Sequence, residues 1–151
     1  MNSYHNEETQ QISIEDIRER LIKKLMWDGK KSLAIDICDE ALKITAKELN
    51  CNPLEALEKV IDNVQPLLEV KSRRVGGATY QVPVKVTPLR GIQLSIRWLV
   101  EFARSSKGTS MAQSLANELI NATKGQGAAI SKKETVHKMA KANKAFAHYS
   151  W

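Results

Sequence analysis

Lysine and arginine side chains grouped around a few aromatic residues are the part of this chain best suited to bind a charged ligand. Residues 71–86 read KSRRVGGATYQVPVKV, which places the cations beside Tyr80 and includes no acidic residue. Residues 132–149 read KKETVHKMAKANKAFAHY and combine further lysines with aromatic rings. Cationic side chains bind phosphate oxygens and aromatic rings stack on bases, so the pattern predicts non-covalent binding to a polyanion such as nucleic acid.

The distribution of charge along the chain supports the same interpretation. The 151 residues carry a net charge of +6, with a balance of −5 in residues 1–69 and +11 in residues 70–151. Such asymmetry indicates a polyanionic partner that meets mainly the second half of the chain. The alternative is a solvated basic surface without a specific partner.

Residues suited to covalent or metal chemistry are few and scattered. Cys38 and Cys51 form no C-x-x-C pair, and neither has a histidine nearby in sequence. His137 and His148 lie 11 residues apart, which is roughly 16 Å along a helix. Residues 29–32 (GKKS) resemble the end of a phosphate-binding loop but lack its upstream glycine and follow a helix. We therefore expect no catalytic residue, no metal site and no cofactor, and interpret residues 29–32 as a basic turn.

Hydrophobic periodicity predicts six helices, with one β-hairpin between the third and fourth. The expected fold class is mainly α, a six-helix bundle from which the hairpin protrudes. Ser13 and Asn52 are placed to cap the first and third helices, and Pro53 suits a first helical position. We expect a single domain of residues 1–151, a polar tail at residues 1–12, and helices at residues 14–27, 31–49, 53–65, 90–104, 111–124 and 131–148.

The hairpin is expected at residues 68–87. Gly76 and Gly77 can reach the positive φ angles that a tight hairpin turn requires. Pro83 donates no ladder hydrogen bond, which suits an edge strand or an isolated ribbon. Because a single hairpin is marginally stable in water, we expect it to project as an arm that its ligand steadies.

The last expected helix carries a row of basic residues. Lys133, His137, Lys141, Lys144 and His148 recur at helical spacing on one face. Like charges stacked in this way repel each other, so the row is locally unfavourable unless an anion neutralises it. The row therefore predicts a second surface for a polyanion.

Five segments carry a resemblance to a known family. They read DGKKSLA at residues 28–34, KSRRVGGATYQVPV at 71–84, IRWLVEFAR at 96–104, LANEL at 115–119 and VHKMAKANKAFAHY at 136–149. Together they resemble the universal small-subunit ribosomal protein seven from about residue 25 to the end of the chain. The resemblance implies a structural ribosomal protein with no enzymatic activity, whose fold is a helical bundle with a protruding hairpin.

The resemblance also implies partners and site residues. Members of the family bind the 3′ major (head) domain of small-subunit rRNA and nucleate assembly of the head. Their hairpin lies near mRNA and exit-site tRNA, beside neighbouring head and platform proteins; neither a membrane nor a small-molecule substrate is implied. The implied rRNA-binding residues are Lys30, Lys31, Lys71, Arg73, Arg74, Arg90, Arg97, Lys132, Lys133, His137, Lys138, Lys141, Asn143 and Lys144. Those on the hairpin arm near tRNA and mRNA are Tyr80, Gln81 and Lys85.

Two departures from the family pattern bear on the cellular compartment. The first residues, MNSYHNEETQQ, replace the arginine-rich arm that is usual in the family, and many bacterial members continue beyond the position of Trp151. This shortened form suggests an organelle matrix, mitochondrial more than plastid, with the bacterial cytoplasm as the alternative. In each case we expect the protein to be located in the ribosome.

Two other classes of function remain open from the residues alone. A basic β-ribbon on a helical body can also wrap the minor groove of DNA, but such arms usually carry an apolar wedge at the tip, and residues 76–78 (GGA) supply none. An enzyme acting on nucleic acid would need paired carboxylates in the basic half. Glu101, Glu118 and Glu134 lie far apart in sequence and on different expected helices.

Overall fold

The computed structural model describes residues 12–149. Most of the expected polar tail and the terminal Trp151 therefore lie outside the described residues. Within this range, helices flank a single antiparallel hairpin, in the order expected from the sequence. The elements are α1 (Ile14–Leu25), α2 (Lys31–Leu49), α3 (Pro53–Val64), β1 (Leu68–Val75), β2 (Ala78–Lys85), α4 (Pro88–Ser105), α5 (Met111–Thr123), α6 (Ala128–Ala142) and a C-terminal 3-10 helix (Lys144–Tyr149).

Side-chain caps fix where several helices begin. Ser13 Oγ accepts a hydrogen bond from the Asp16 N–H at 3.2 Å, and Asn52 Oδ1 accepts from the Leu54 N–H at 3.1 Å. Pro53 takes the first position of α3, where a missing N–H costs nothing. Each such cap stabilises a helix by about 1 kcal/mol. The starts expected for α1 and α3 are confirmed.

The apolar stripes of α1 to α5 meet in one core. Leu21, Leu57, Leu99, Leu115 and Leu119 are all 0% exposed. Each full burial of a leucine side chain stabilises the fold by about 2 kcal/mol relative to exposure. The mainly α class is confirmed. No helix in residues 12–149 has both the length and the apolar character required to cross a membrane.

The sixth helix differs from the expectation at both ends. It begins at Ala128, because Gly127 has φ +94° and its carbonyl accepts from the Ser131 N–H at 3.1 Å. Ser131, the expected cap, therefore lies inside the first turn. The helix ends at Ala142, and Asn143 turns its side-chain amide back to the Met139 carbonyl at 2.8 Å. The remaining residues form the 3-10 helix, which has a tighter repeat and breaks the expected row of basic residues.

Two other boundaries are corrected by smaller amounts. Helix α4 begins at Pro88, two residues before the expected start, because Thr87 Oγ1 caps it by accepting from the Arg90 N–H at 3.3 Å. Helix α1 ends at Leu25 instead of Trp27, just before Asp28 takes a positive φ of 53°. Both corrections concern local backbone conformation and leave the order of elements unchanged.

The hairpin has the turn that the paired glycines predict. Gly76 and Gly77 have φ of 58° and 83°, and Val75 pairs with Ala78 across this two-residue turn. The sequence led us to expect that a ligand steadies the hairpin, but contacts within the protein already support it. Val82 is 0% exposed, and β1 and β2 lie against α6 and the 3-10 helix.

The hairpin root, the segment of residues 63–67 that leads from α3 into β1, is tied to α6 by two hydrogen bonds. His137 Nε2 accepts from the Leu67 N–H at 3.0 Å, and Lys133 Nζ donates to the Asn63 carbonyl at 2.8 Å. Asn63 in turn donates from its amide to the Ala122 carbonyl at 3.1 Å. Helices α3, α5 and α6 are thus joined where the chain leaves α3 for β1.

We predict that this junction weakens in acid. Burial, helped by the Lys133 charge, lowers the pKa of His137 below its usual value. The folded state therefore binds fewer protons at this site than the unfolded state, so the site's contribution is present above about pH 6.5 and is lost as pH falls. Because protonated Nε2 cannot accept the Leu67 N–H, the hydrogen bond is lost as well.

Urea unfolding at pH 7 and pH 5 measures this effect. His137→Gln keeps an acceptor that does not titrate, so its unfolding free energy is expected to fall less between the two pH values than that of the wild type. Equal losses in the two proteins would contradict the assigned role of His137.

Candidate nucleic-acid interface

The two faces of the hairpin have different roles. Residues directly opposite each other in an antiparallel pair share a face, and the register pairs Arg73 with Tyr80 and Arg74 with Thr79. Arg73 and Tyr80 are half-buried, whereas Arg74 is exposed. Gln81 is exposed and donates to Ser72 Oγ at 2.9 Å. The Arg74 face is therefore the one open to a ligand.

Aromatic side chains hold the opposite face against the 3-10 helix. The rings of Tyr80 and Tyr149 stack with centroids 4.6 Å apart and an interplanar angle of 25°. Phe146 lies 5.3 Å from Tyr80 between ring centroids, and Arg73 donates to the Tyr149 carbonyl. Aromatic pairs at these separations stabilise by about 1 kcal/mol each beyond their buried area. The Tyr80 ring thus packs within the protein.

The partly buried carboxylate of Glu69, near the start of β1, lies between two cations. The Glu69 side chain is 12% exposed and lies 3.5 Å from Arg90 Nη2 and 3.8 Å from Lys71 Nζ. Arg90 and Lys71 are therefore partly neutralised inside the protein. Lys85 on β2 and Arg97 on α4 are exposed and form no ion pair with a described residue.

The basic residues of α6 divide into two groups. Lys133 and His137 hold the hairpin root, and Asn143 closes the helix end. The others are exposed and form no ion pair with another described residue: Lys132, Lys138, Lys141 and, on the 3-10 helix, Lys144 and His148. Among the described residues, fewer cations of the row are therefore exposed and unpaired than the sequence suggested.

The turn between α1 and α2 presents a third basic group. Asp28 and Gly29 have φ of 53° and 71°, and Lys30 precedes α2 without a side-chain cap. Lys30 is exposed, while Lys31 Nζ lies 3.0 Å from Glu19 Oε1. Uncapped N–H groups at a helix start attract anions, so Lys30 is well placed beside a phosphate.

Trp27 and Arg104 form a contact that the sequence did not predict. The Trp27 side chain is 68% exposed, and the Arg104 guanidinium carbon lies 5.3 Å from its ring centroid. Arg104 Nη2 also donates to the Lys24 carbonyl at 3.0 Å, across 80 residues of sequence. The only signal in the sequence was a tryptophan directly before the turn, at the end of the expected first helix.

Residues 12–149 contain few side chains suited to catalysis. Burial raises the pKa of Cys38 to about 12, so its thiol stays protonated at neutral pH. No group of three or more histidine, cysteine or acidic residues in this range could hold a metal ion. Glu101, Glu118 and Glu134 lie on α4, α5 and α6 respectively.

A family model and the related proteins both identify the same family. The family described as Ribosomal protein S7p/S5e matches residues 2–144. The small ribosomal subunit protein uS7 of Thermoanaerobacter sp. (strain X514) is 56% identical over 132 residues, covering 87% of this chain and 85% of that protein. The protein of the same name from Thermosipho africanus (strain TCF52B) is 54% identical, and that from Bifidobacterium longum (strain DJO10A) is 52% identical, over the same shares. The chain belongs to the ribosomal protein S7p/S5e family.

Proposed function

We propose that this protein binds the 3′ major domain of small-subunit rRNA through the Arg74 face of its hairpin and the exposed lysines of α6. As a family member it is a structural, non-enzymatic constituent of the small ribosomal subunit, and rRNA binding is the general function of the family. The observation that carries the proposal is the group of exposed lysines on α6 that no described acidic residue neutralises.

The predicted contact residues fall into two roles within this proposal. Those that are exposed contact phosphates directly: Lys30, Arg74, Lys85, Arg97, Lys132, Lys138, Lys141 and Lys144. Those held by internal bonds position the surfaces: Arg73, Tyr80, Arg90, Lys133, His137 and Asn143. Lys31, Lys71 and Gln81 combine an exposed side chain with an internal partner and serve both roles.

Nucleation of head assembly and a position near mRNA and exit-site tRNA are finer parts of the same proposal. The exposed hairpin tip supports them, because Gly76 and Gly77 lack a Cβ and can approach another backbone closely. Neighbouring head and platform proteins are the remaining proposed partners. The compartment proposed is the bacterial cytoplasm, since the relatives matched are bacterial; the organelle expected from the sequence has no support among them.

We predict that the α6 surface sets part of the salt dependence of binding. Lys138→Ala with Lys141→Ala is expected to weaken binding to a transcript of the rRNA 3′ major domain. The slope of log K against log salt should become shallower by about 1.5, because two phosphates lose their cations. Fluorescence anisotropy at several salt concentrations measures both quantities.

A matched variant controls for the loss of charge alone. Lys47→Ala with Lys59→Ala removes two exposed cations from α2 and α3 and is expected to leave the slope unchanged. The assigned surface would be refuted by equal slopes for the α6 variant and the wild type.

We also predict a preference for rRNA over DNA. In competition at physiological salt, the rRNA transcript is expected to displace duplex DNA of equal length from the protein. This follows because the three basic groups are held in fixed positions by the hairpin, α6 and the first turn, which suits a folded RNA shape. Equal affinities that collapse together as salt rises would instead favour the architectural DNA-binding function.

A further inference from the structure

A groove of about 540 Å³ lies beside the first interhelical turn, where the end of α1 and the start of α2 approach α4 and α5. Its volume falls within the range of ligand sites in proteins. Its apolar lining is formed by Leu25, Trp27, Leu33, Ala34, Ile37 and Met111. Leu25 and Ala34 are buried and form the floor, whereas Trp27 and Leu33 remain 68% and 56% exposed.

The Trp27 ring is held in place on one side. Arg104 lies against it at 5.3 Å from the ring centroid and is itself fixed by the Lys24 and Leu25 carbonyls, at 3.0 and 3.4 Å. These contacts satisfy carbonyls at the end of α1 that lack helical partners. Because the ring is positioned by Arg104 yet largely exposed, it offers a planar surface at little further cost in side-chain entropy.

The charged residues of the groove favour an anion. Lys30 and Arg104 line it beside a single acidic residue, Asp28. Neither cation forms an ion pair with a described residue. An apolar lining with an aromatic ring and a cationic rim complements a nucleotide, whose base is planar and whose phosphate is negative.

We propose that this groove binds an unpaired nucleobase of the small-subunit rRNA, which stacks on Trp27 while its phosphate contacts Lys30. This inference rests on the proposed rRNA-binding function and adds a base-stacking site to it. An apolar side chain of a neighbouring protein would use Leu33 and Met111 equally well. It would leave the positive charges of Lys30 and Arg104 without a negative partner among the described residues, and for this reason the nucleotide is the better occupant.

Substitution of Trp27 tests the site. Trp27→Ala is expected to weaken binding to the 3′ major domain transcript by roughly 5- to 150-fold, the range for loss of one base stack. The slope of log K against log salt should not change, because no phosphate contact is removed. Trp27→Phe retains a ring and is expected to keep most of the affinity. Leu89→Ala is the matched control, since Leu89 is 39% exposed but does not line the groove.

Fluorescence provides an independent readout. In a Trp151→Phe background, Trp27 and the 5% exposed Trp98 are the remaining tryptophans. Addition of the transcript should quench the emission of Trp27 through stacking, and this quenching should vanish in the Trp27→Ala variant. Thermal melts of each variant, followed by circular dichroism, establish that the fold is intact.

The outcomes separate this site from the proposed function. Unchanged affinity and no quenching with Trp27→Ala, while Lys138→Ala with Lys141→Ala still weakens binding, would overturn the base site and leave rRNA binding standing. If Trp27→Ala binds the transcript normally but enters subunits poorly when other proteins are present, the occupant is a protein and the base site is also overturned. A wild type with no preference for rRNA over duplex DNA would overturn both proposals.

Discussion

The hydrogen bond from the Leu67 N–H to His137 Nε2 fixes the relation between the two basic surfaces. A two-stranded ribbon is marginally stable in water, and on its own it would not hold a defined angle to the helical body. With Lys133 bonded to the Asn63 carbonyl one turn away, α6 clamps the hairpin root from one side. Arg74 on the hairpin and the free lysines of α6 are thereby carried on one joined unit.

A second clamp acts further along the hairpin. Tyr80 packs against Phe146 and Tyr149, so the 3-10 helix covers the hairpin face that does not carry Arg74. This packing depends on the end of α6 at Ala142. A straight continuation would carry the aromatic residues along the α6 axis, whereas the break at Asn143 returns them to β2. The end of the helix thus allows Phe146 and Tyr149 to pack against Tyr80 of the hairpin.

The sequence predicted most local features but few long-range contacts, and among the local features the cap expected at Ser131 was wrong. Caps at Ser13 and Asn52 and the turn at Gly76 depend on a few adjacent residues, and each was found where expected. The row of α6 cations was also visible in the sequence. The sequence did not show that Lys133 and His137 would bond to backbone groups 70 residues away. The Trp27–Arg104 contact was missed for the same reason, because helical periodicity carries no information about which helix ends meet.

The acidic first half of the chain has a physical role in the same scheme. Asp36, Asp39 and Glu40 are exposed on α2, and of the three only Asp39 forms an ion pair with a described residue, Arg18 at 2.5 Å. Exposed carboxylates repel phosphate, so this face opposes the approach of RNA, whereas the proposed contact surfaces on the hairpin, α6 and the Lys30 turn carry the opposite charge. Under the proposed function, the acidic residues of α2 disfavour orientations that bring this helix against RNA phosphates. In this proposal, the charge asymmetry of the sequence orients the folded protein on its RNA.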